Sequence, residues 1–324
     1  MNEPSKAKQR LFLAAKVVVF VLVAVGVALT VRRALQDVND RGFSLTSLDF
    51  RWIVVAGGAY LVGISPCWAF WHRTLKAMGQ SPTMWESFRA YYISHLGKYV
   101  PGKAMVVVIR TGWIRSPRTD MTVAAVSVFV ETLTMMAMAA FTSAAILFVF
   151  HRDNTYLLLL APALMLCAGL PTIPPILKRI VLAARVKKIN PDIEHALDGI
   201  SYPLMLSGWS TIFVGWLFLG TSLWAVLLAI PGANPTLNDL PLLIVCVTLP
   251  SVAGFLSFIP GGLGVREMVA TVLLVNALGY SVLIAAVSAV MLRLSWLLAE
   301  VSILVILYVV SHMFMPASGE QSGN

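Results

Sequence analysis

The amino-acid sequence predicts an all-α, polytopic integral membrane protein. It should have about six transmembrane helices plus two re-entrant Pro-Gly hairpins, arranged in two halves of inverted topology. Three observations carry this expectation. Of the 324 residues, 58% are hydrophobic and only 12% charged, against about a quarter charged in a soluble domain. Such a chain cannot cover a water-facing surface. The apolar residues also fall in runs of the length a helix needs to cross hydrocarbon, about 20 residues. Finally, two stretches, GKYVPGK (97–103) and FIPGGLGVRE (258–267), place a helix-breaking Pro-Gly beside a cation within apolar sequence.

Taken in order, the first run covers about 11–31 and follows MNEPSKAKQR. It is too long for the apolar core of a signal peptide, and no small-residue cleavage site follows, so it reads as a retained helix. Further spans are expected at about 52–71, 121–150, 155–176, 203–230 and 281–311. Two other apolar regions, 84–115 and 241–279, are each interrupted by a Pro-Gly. The pieces after the breaks, 102–115 and 265–279, rise only about 21 Å as helices, short of a hydrocarbon core of about 30 Å. Two short helices meeting at a break make a hairpin, which is tolerated at depth only when buried in protein or lining a wet cavity. The chain then reads as one membrane domain, 1–324. Its half-repeats are 11–150 and 155–311, each ordered span, span, hairpin, span. Paired Pro/Gly interruptions in inverted halves point to the substrate site of a transporter. The alternative is two plain turns between ordinary helices.

The net charge of +9 would suit nucleic acid in a soluble protein. Here the cations lie between apolar runs, so membrane orientation and anionic lipid account for them, and no nucleic-acid partner is expected. Lys6, Lys8, Arg10 and Lys16, the region 73–118, and Lys178, Arg179, Arg185, Lys187 and Lys188 hold most of the 24 cations. This places both termini in the cytoplasm. The loop 177–200 interleaves cations with apolar residues, as does a helix lying on an anionic leaflet; a solvated loop is the alternative. Asn190-Pro191-Asp192 reads as an N-cap, an N1 proline and a first-turn acid. The tail 316–324 is polar and reads as disordered.

Catalytic chemistry has little support. Gly97, Gly102 and Lys103 have P-loop spacing, but Ala104 stands where Ser or Thr would hold magnesium, and no strand precedes. Cys67, Cys167 and Cys246 sit in apolar runs and read as packing residues. The five histidines show no metal spacing; only His95, beside the first break, merits a test. No catalytic residue, metal or cofactor is expected, and the chain is not expected to be an enzyme. Trp52, Trp68, Trp71 and Trp85 read as interface anchors.

The breaks suggest a different chemistry. Pro101 and Gly102, and later Gly261, Gly262 and Gly264, stop one helix and start the next. A new helix N-terminus has unpaired N–H groups and a partial positive charge, which suits an anion. Lys103 and Arg266 add full charges. Two such ends facing each other would bind a phosphate, and the abundant phosphate in a membrane is a lipid head group. The alternative is that Lys98 and Lys103 extend to the surface. Intramembrane charges are costly and mark functional sites by default. Arg110, Glu131, Glu267, Arg293 and Glu300 are therefore candidates to line or gate a polar path. Glu131 could pair with Arg293 or Arg110, and Glu267 lies beside Arg266. The alternative is buried ion pairs that fix helix packing.

YYISHLGKYVPGK, VAAVSVFVET and IPGGLGVRE together resemble the transmembrane domain of lysylphosphatidylglycerol synthases and its stand-alone, flippase-like relatives. The resemblance runs from about 11 to 311. Pro101, Gly102, Lys103 and Arg110 match its first motif, Glu131 a glutamate often followed by arginine, and Pro260, Gly261, Gly262, Gly264, Arg266 and Glu267 the second. It implies a multi-pass protein of a bacterial or archaeal cytoplasmic membrane that moves or accommodates anionic phospholipid or lipid-linked substrates. Thr132 replaces the usual arginine, which puts a Glu-Arg pairing there in doubt, and the Gly-Glu common after the first motif is missing. The sequence ends without a soluble aminoacyl-transfer domain, so it is not expected to make lysylphosphatidylglycerol. A flippase-like transporter, equilibrative or ion-coupled, is the expectation. A membrane partner that presents lipid to an enzyme is the alternative, and a lipid-modifying enzyme the third.

Overall fold

The structure is a computed structural model. It describes residues 42–100, 104–150, 165–184, 186–257 and 259–314, residue 163, and residues 21, 25, 26, 28, 29, 31–33, 36 and 38–40 before them. Among these, the regular structure is helical apart from one isolated bridge, Ser116 to Thr119. The helices are α1 (Phe50–Ala77), α2 (Met84–Ser94), α3 (Ala104–Ile114), α4 (Met121–Phe150), α5 (Pro174–Ala183), α6 (Ile193–Asp198), α7 (Tyr202–Ala229), α8 (Leu240–Leu256), α9 (Val265–Leu278) and α10 (Val282–Phe314). Helical residues between 21 and 40 precede them.

Local chemistry sets several of the starts. Asp49 caps α1 by accepting the Arg51 N–H at 3.1 Å. The Arg51 guanidinium also bonds the Asp49 carboxyl and holds it below its usual range. Thr83 and Glu86 form a reciprocal capping box on α2, satisfying two N–H groups the helix cannot. Ser201 accepts from Leu204 N–H at the start of α7.

Among the described residues, five helices are long and apolar enough to cross a membrane: α1, α4, α7, Leu237–Leu256 and Val282–Ser311. Four of these match the expected spans. The expected span at 11–31 lies mostly outside the described residues, as does the start of 155–176. The described end of the latter, Met165–Thr172, bends by 72° into α5, where Pro174 and Pro175 begin a new helix. Counting that bent pair as one span gives six. The second broken region departs from expectation. Its leading arm continues through Pro250 and is long enough to span, whereas its trailing arm α9, at 14 residues, rises only about 21 Å.

The core is built on α1 and α7. Both are 28 residues long, and they cross where Gly63 meets Gly215. A Cβ on Gly63 would lie 3.0 Å from the Gly215 carbonyl oxygen, so only glycine lets the backbones approach this closely. Polar side chains then tie the bundle: Ser222 donates to the Ala56 carbonyl at 2.8 Å, and Trp296 to Ser222 at 2.9 Å. Ser143 and Thr248 join α4 to α8 at 2.6 Å. The packing is paired across the halves. α3 packs on α4 as α9 packs on α10, α1 on α4 as α7 on α10, and α2 on α3 as α8 on α9. α1 on α10 likewise answers α7 on α4, and α2 on α10 answers α8 on α4.

Two expectations are corrected. Trp71 is fully buried and donates to Ser127 at 2.9 Å, so it is a core residue, not an interface anchor. The basic loop folds onto the bundle: Leu177, Val181, Ile193 and Leu197 are buried, and Asn190 bonds Asp120 at 3.1 Å. Lys178 pairs with Asp198 and Lys187 with Glu194. The Lys178 ammonium holds the Asp198 carboxyl below its usual range. The Asn190 side chain accepts the Asp192 N–H, one turn before α6 begins.

Candidate functional site

The two breaks meet inside the bundle. The turn His95–Tyr99 follows α2 and packs on the turn Pro260–Gly262 between α8 and α9. Gly261, Gly262 and Gly264 have φ of 59°, 65° and 81°, a left-handed conformation that side chains disfavour; this is why the sequence reads PGGLG. Their missing side chains also make room. A Cβ on Gly261 would lie 2.8 Å from Arg293 Nη2 and 3.1 Å from the Lys98 carbonyl oxygen. One on Gly262 would lie 3.0 Å from Arg266 Cγ, and one on Gly254 2.6 Å from the same atom. The Arg266 stem thus runs between two glycines.

At this junction lies a cavity of about 80 Å³, bordered by Lys98 and Tyr99 from the first turn, Arg266 and Glu267 from α9, and Arg293 and Trp296 from α10. One water needs about 10–15 Å³ of such volume, so the space suits a phosphate-sized group rather than a whole lipid. Two of its three cations have carboxylate partners. Arg293 bonds Glu267, whose other oxygen accepts the Gly264 N–H at 2.8 Å. Lys98 bonds Glu300, which also accepts the Tyr60 hydroxyl. The Lys98 ammonium lies 5.3 Å and 5.1 Å from the Tyr60 and Tyr99 ring centres, and Tyr60 stacks on Trp296 at 4.7 Å. Arg266 is the exception: it makes no ion pair among the described residues, and its Nε is buried without a hydrogen-bond partner. Arg293 Nε and Glu300 Oε2 are likewise unpartnered.

A separate cluster holds Arg110 and Glu131. They pair at 3.0 Å, each only 3% exposed. Arg110 also donates to Ser94 at 2.8 Å, and Glu131 accepts from Tyr91 at 3.1 Å. The guanidinium lies 4.2 Å and 5.1 Å from the Tyr91 and Trp71 ring centres. His95 bonds the Tyr91 carbonyl at 3.0 Å, which accounts for it as a packed residue.

The structure therefore brings Arg266, Gly261, Glu267 and Arg293 to one cavity, with Gly262 and Gly264 in the same turn and Glu300 reached through Lys98. Pro101, Gly102 and Lys103 lie outside the described residues. Arg110 and Glu131 do not border this cavity and form the separate cluster described above. Glu131 pairs with Arg110, not Arg293, and the arginine absent at 132 is supplied from α3. Glu267 bonds Arg293 and the Gly264 N–H at the N-terminus of α9 rather than its neighbour Arg266, while bordering the same cavity. Sequence reasoning missed Tyr60, Tyr99 and Trp296, and left Lys98 out of the site, weighing for it only the alternative of extension to the surface. A lysine beside a Pro-Gly break is a visible signal, but its partner Glu300 is 202 residues away.

The model for the lysylphosphatidylglycerol synthase TM region matches residues 13–300. The chain belongs to that family, and is thus a multi-pass membrane protein related to lipid handling. No curated protein matches it.

Proposed function

We propose that the protein is a flippase-like transporter that moves a phospholipid or lipid-linked anionic substrate across the cytoplasmic membrane of a bacterium or archaeon. In this reading it performs no chemistry on the lipid, and both termini face the cytoplasm. One observation carries the reading. At the meeting point of two helix breaks, a phosphate-sized cavity is bordered by a half-buried arginine, Arg266, which makes no ion pair among the described residues and whose Nε is buried without a hydrogen-bond partner. A partly buried charge without an ion-pair partner is costly, and an anionic ligand would relieve that cost. Arg266 binds the head-group phosphate. Lys98 and Arg293, each already sharing a carboxylate, adjust as it arrives. The acyl chains stay in the surrounding lipid because the cavity is too small for them. The paired packing of the two halves supports alternating exposure of such a site.

The test is reconstitution into liposomes with head-group-labelled phosphatidylglycerol, reading how much label dithionite can reach. Fast lipid exchange between leaflets is expected in the wild type, with loss in Arg266→Ala and, from its place in the first motif, in Lys103→Ala. A folded sample that moves no anionic or zwitterionic lipid, with or without ion gradients, would refute the proposal. That result would favour a membrane partner that presents lipid to an enzyme.

A further inference from the structure

Arg32 and Arg33 close the first apolar run, at the end opposite Lys6, Lys8 and Arg10. With both termini in the cytoplasm, these two arginines face the outer side, where cations are the exception and call for a reason. The structure supplies one for Arg32. Ala28, Val31, Arg32, Gln36 and Asn39 border a groove of about 600 Å³, and their spacing is that of one helix face. Arg32, Gln36 and Asn39 are exposed; Arg33 is exposed too but does not border the groove. The groove adjoins the central site. A side chain on Gly26 would collide with the Tyr99 carbonyl, so the helix backbone rests on the first break. Val31 borders the groove and packs on the cluster of Leu96, Tyr99 and Leu297, and Tyr99 borders the central cavity. One small apolar cluster thus connects the two spaces.

Along this face the chemistry changes in a fixed order. It is apolar at Ala28 and Val31, cationic at Arg32, and amide at Gln36 and Asn39. A glycerophospholipid has the same order: acyl chain, phosphate, polar head. A guanidinium holds a phosphodiester through paired N–H donors, and an amide can both donate to and accept from a hydroxyl. No carboxylate is among the described residues that border the groove, so an ammonium head group meets no counter-charge there. We infer that Arg32, Gln36 and Asn39 form a second lipid site, at the outer end of the path, for an anionic phospholipid with a hydroxylated head group. Arg32 takes the phosphate, the two amides take the hydroxyls, and the lipid passes between this groove and Arg266. This rests on the transport reading above and says where the cargo is held in the outer leaflet.

Native mass spectrometry of the purified full chain, titrated with dioctanoylphosphatidylglycerol, reads both sites. Wild type should bind one lipid more than Arg32→Gln and one more than Arg266→Met, and the double variant should lose both. Arg32→Gln should weaken the groove lipid by about tenfold, as expected for losing a charged hydrogen-bonding partner. Gln36→Leu with Asn39→Leu should erase the preference for phosphatidylglycerol over phosphatidylcholine. Arg33→Gln removes the same charge one residue away and should change nothing. Deacylated glycerophosphoglycerol should not displace the lipid, because Ala28 and Val31 hold its acyl end; displacement would make a soluble phosphodiester the ligand and overturn the inference. In liposomes, Arg32→Gln should slow exchange of labelled phosphatidylglycerol by about tenfold, and Arg33→Gln should leave it unchanged. Equal losses in Arg32→Gln and Arg33→Gln would mean a boundary lipid held by surface charge, which overturns the inference, as does unchanged binding in Arg32→Gln. Lipid movement that Arg32→Gln leaves untouched removes the groove from the path and leaves the transport reading standing. Arg32-dependent binding with no movement in wild type supports the second site and overturns transport.

Discussion

The Arg110–Glu131 pair gives the sharpest test of what the buried charges do. Its geometry favours a packing device over a lining of the cargo path: both side chains are 3% exposed, 3.0 Å apart and away from the cavity. Replacing Arg110 by Met leaves the Glu131 carboxylate with only the hydroxyls of Tyr91 at 3.1 Å and Thr132 at 3.4 Å. Breaking a buried pair from one side costs about 3–5 kcal/mol, because an uncompensated charge remains. Loss of the Ser94 bond and of stacking on Tyr91 falls within the same change, so about 4 kcal/mol is the expected destabilisation. Replacing both partners, Arg110→Met with Glu131→Met, removes the orphan charge and should return stability to within about 1 kcal/mol of wild type. Chemical denaturation of the purified protein in detergent, run as a double-mutant cycle, reads the coupling. A single-variant cost below about 1 kcal/mol, or a double variant as unstable as the two singles summed, would refute the reasoning. Folded single variants should also move lipid at the wild-type rate. A folded variant that does not would put the pair on the cargo path.

The other predictions divide cavity from scaffold. Arg266→Met should keep or raise the unfolding free energy, because it removes a half-buried cation that has no ion-pair partner among the described residues, while abolishing binding of labelled anionic lipid at the central cavity. A stability loss above about 2 kcal/mol would instead make Arg266 structural. Gly254→Ala puts a methyl 2.6 Å from Arg266 Cγ; it should cost about 1–3 kcal/mol by overpacking and weaken lipid binding, and unchanged binding would show that the Arg266 stem is free to move. Thr83→Ala removes the α2 cap, and denaturation should show a loss of about 1 kcal/mol with lipid binding intact.

The sequence by itself determined the solvent of this protein and most of its spans, because a 12% charged chain has only lipid to face and apolar run length reads directly as helix length. It also marked both breaks: PGGLG is legible because three left-handed residues demand glycine, whatever lies around them. Family membership was equally legible, carried by those short motifs in order. Other features depended on partners far away in sequence. Whether Lys98 reaches the surface or stays inside was decided by Glu300, 202 residues later. Whether Glu131 met Arg110 or Arg293 was decided by how α3 folds back on α4. Trp71 has the composition of an interface residue and became core because α4 offers Ser127 to its indole N–H. The second hairpin's leading arm grew to spanning length because Pro250 sits within α8 without ending it. A charge inside a membrane must find a partner, and the sequence shows that need plainly. Which partner it finds is set by helix crossings such as Gly63 on Gly215, where the absence of two side chains lets the halves close and brings the two breaks together.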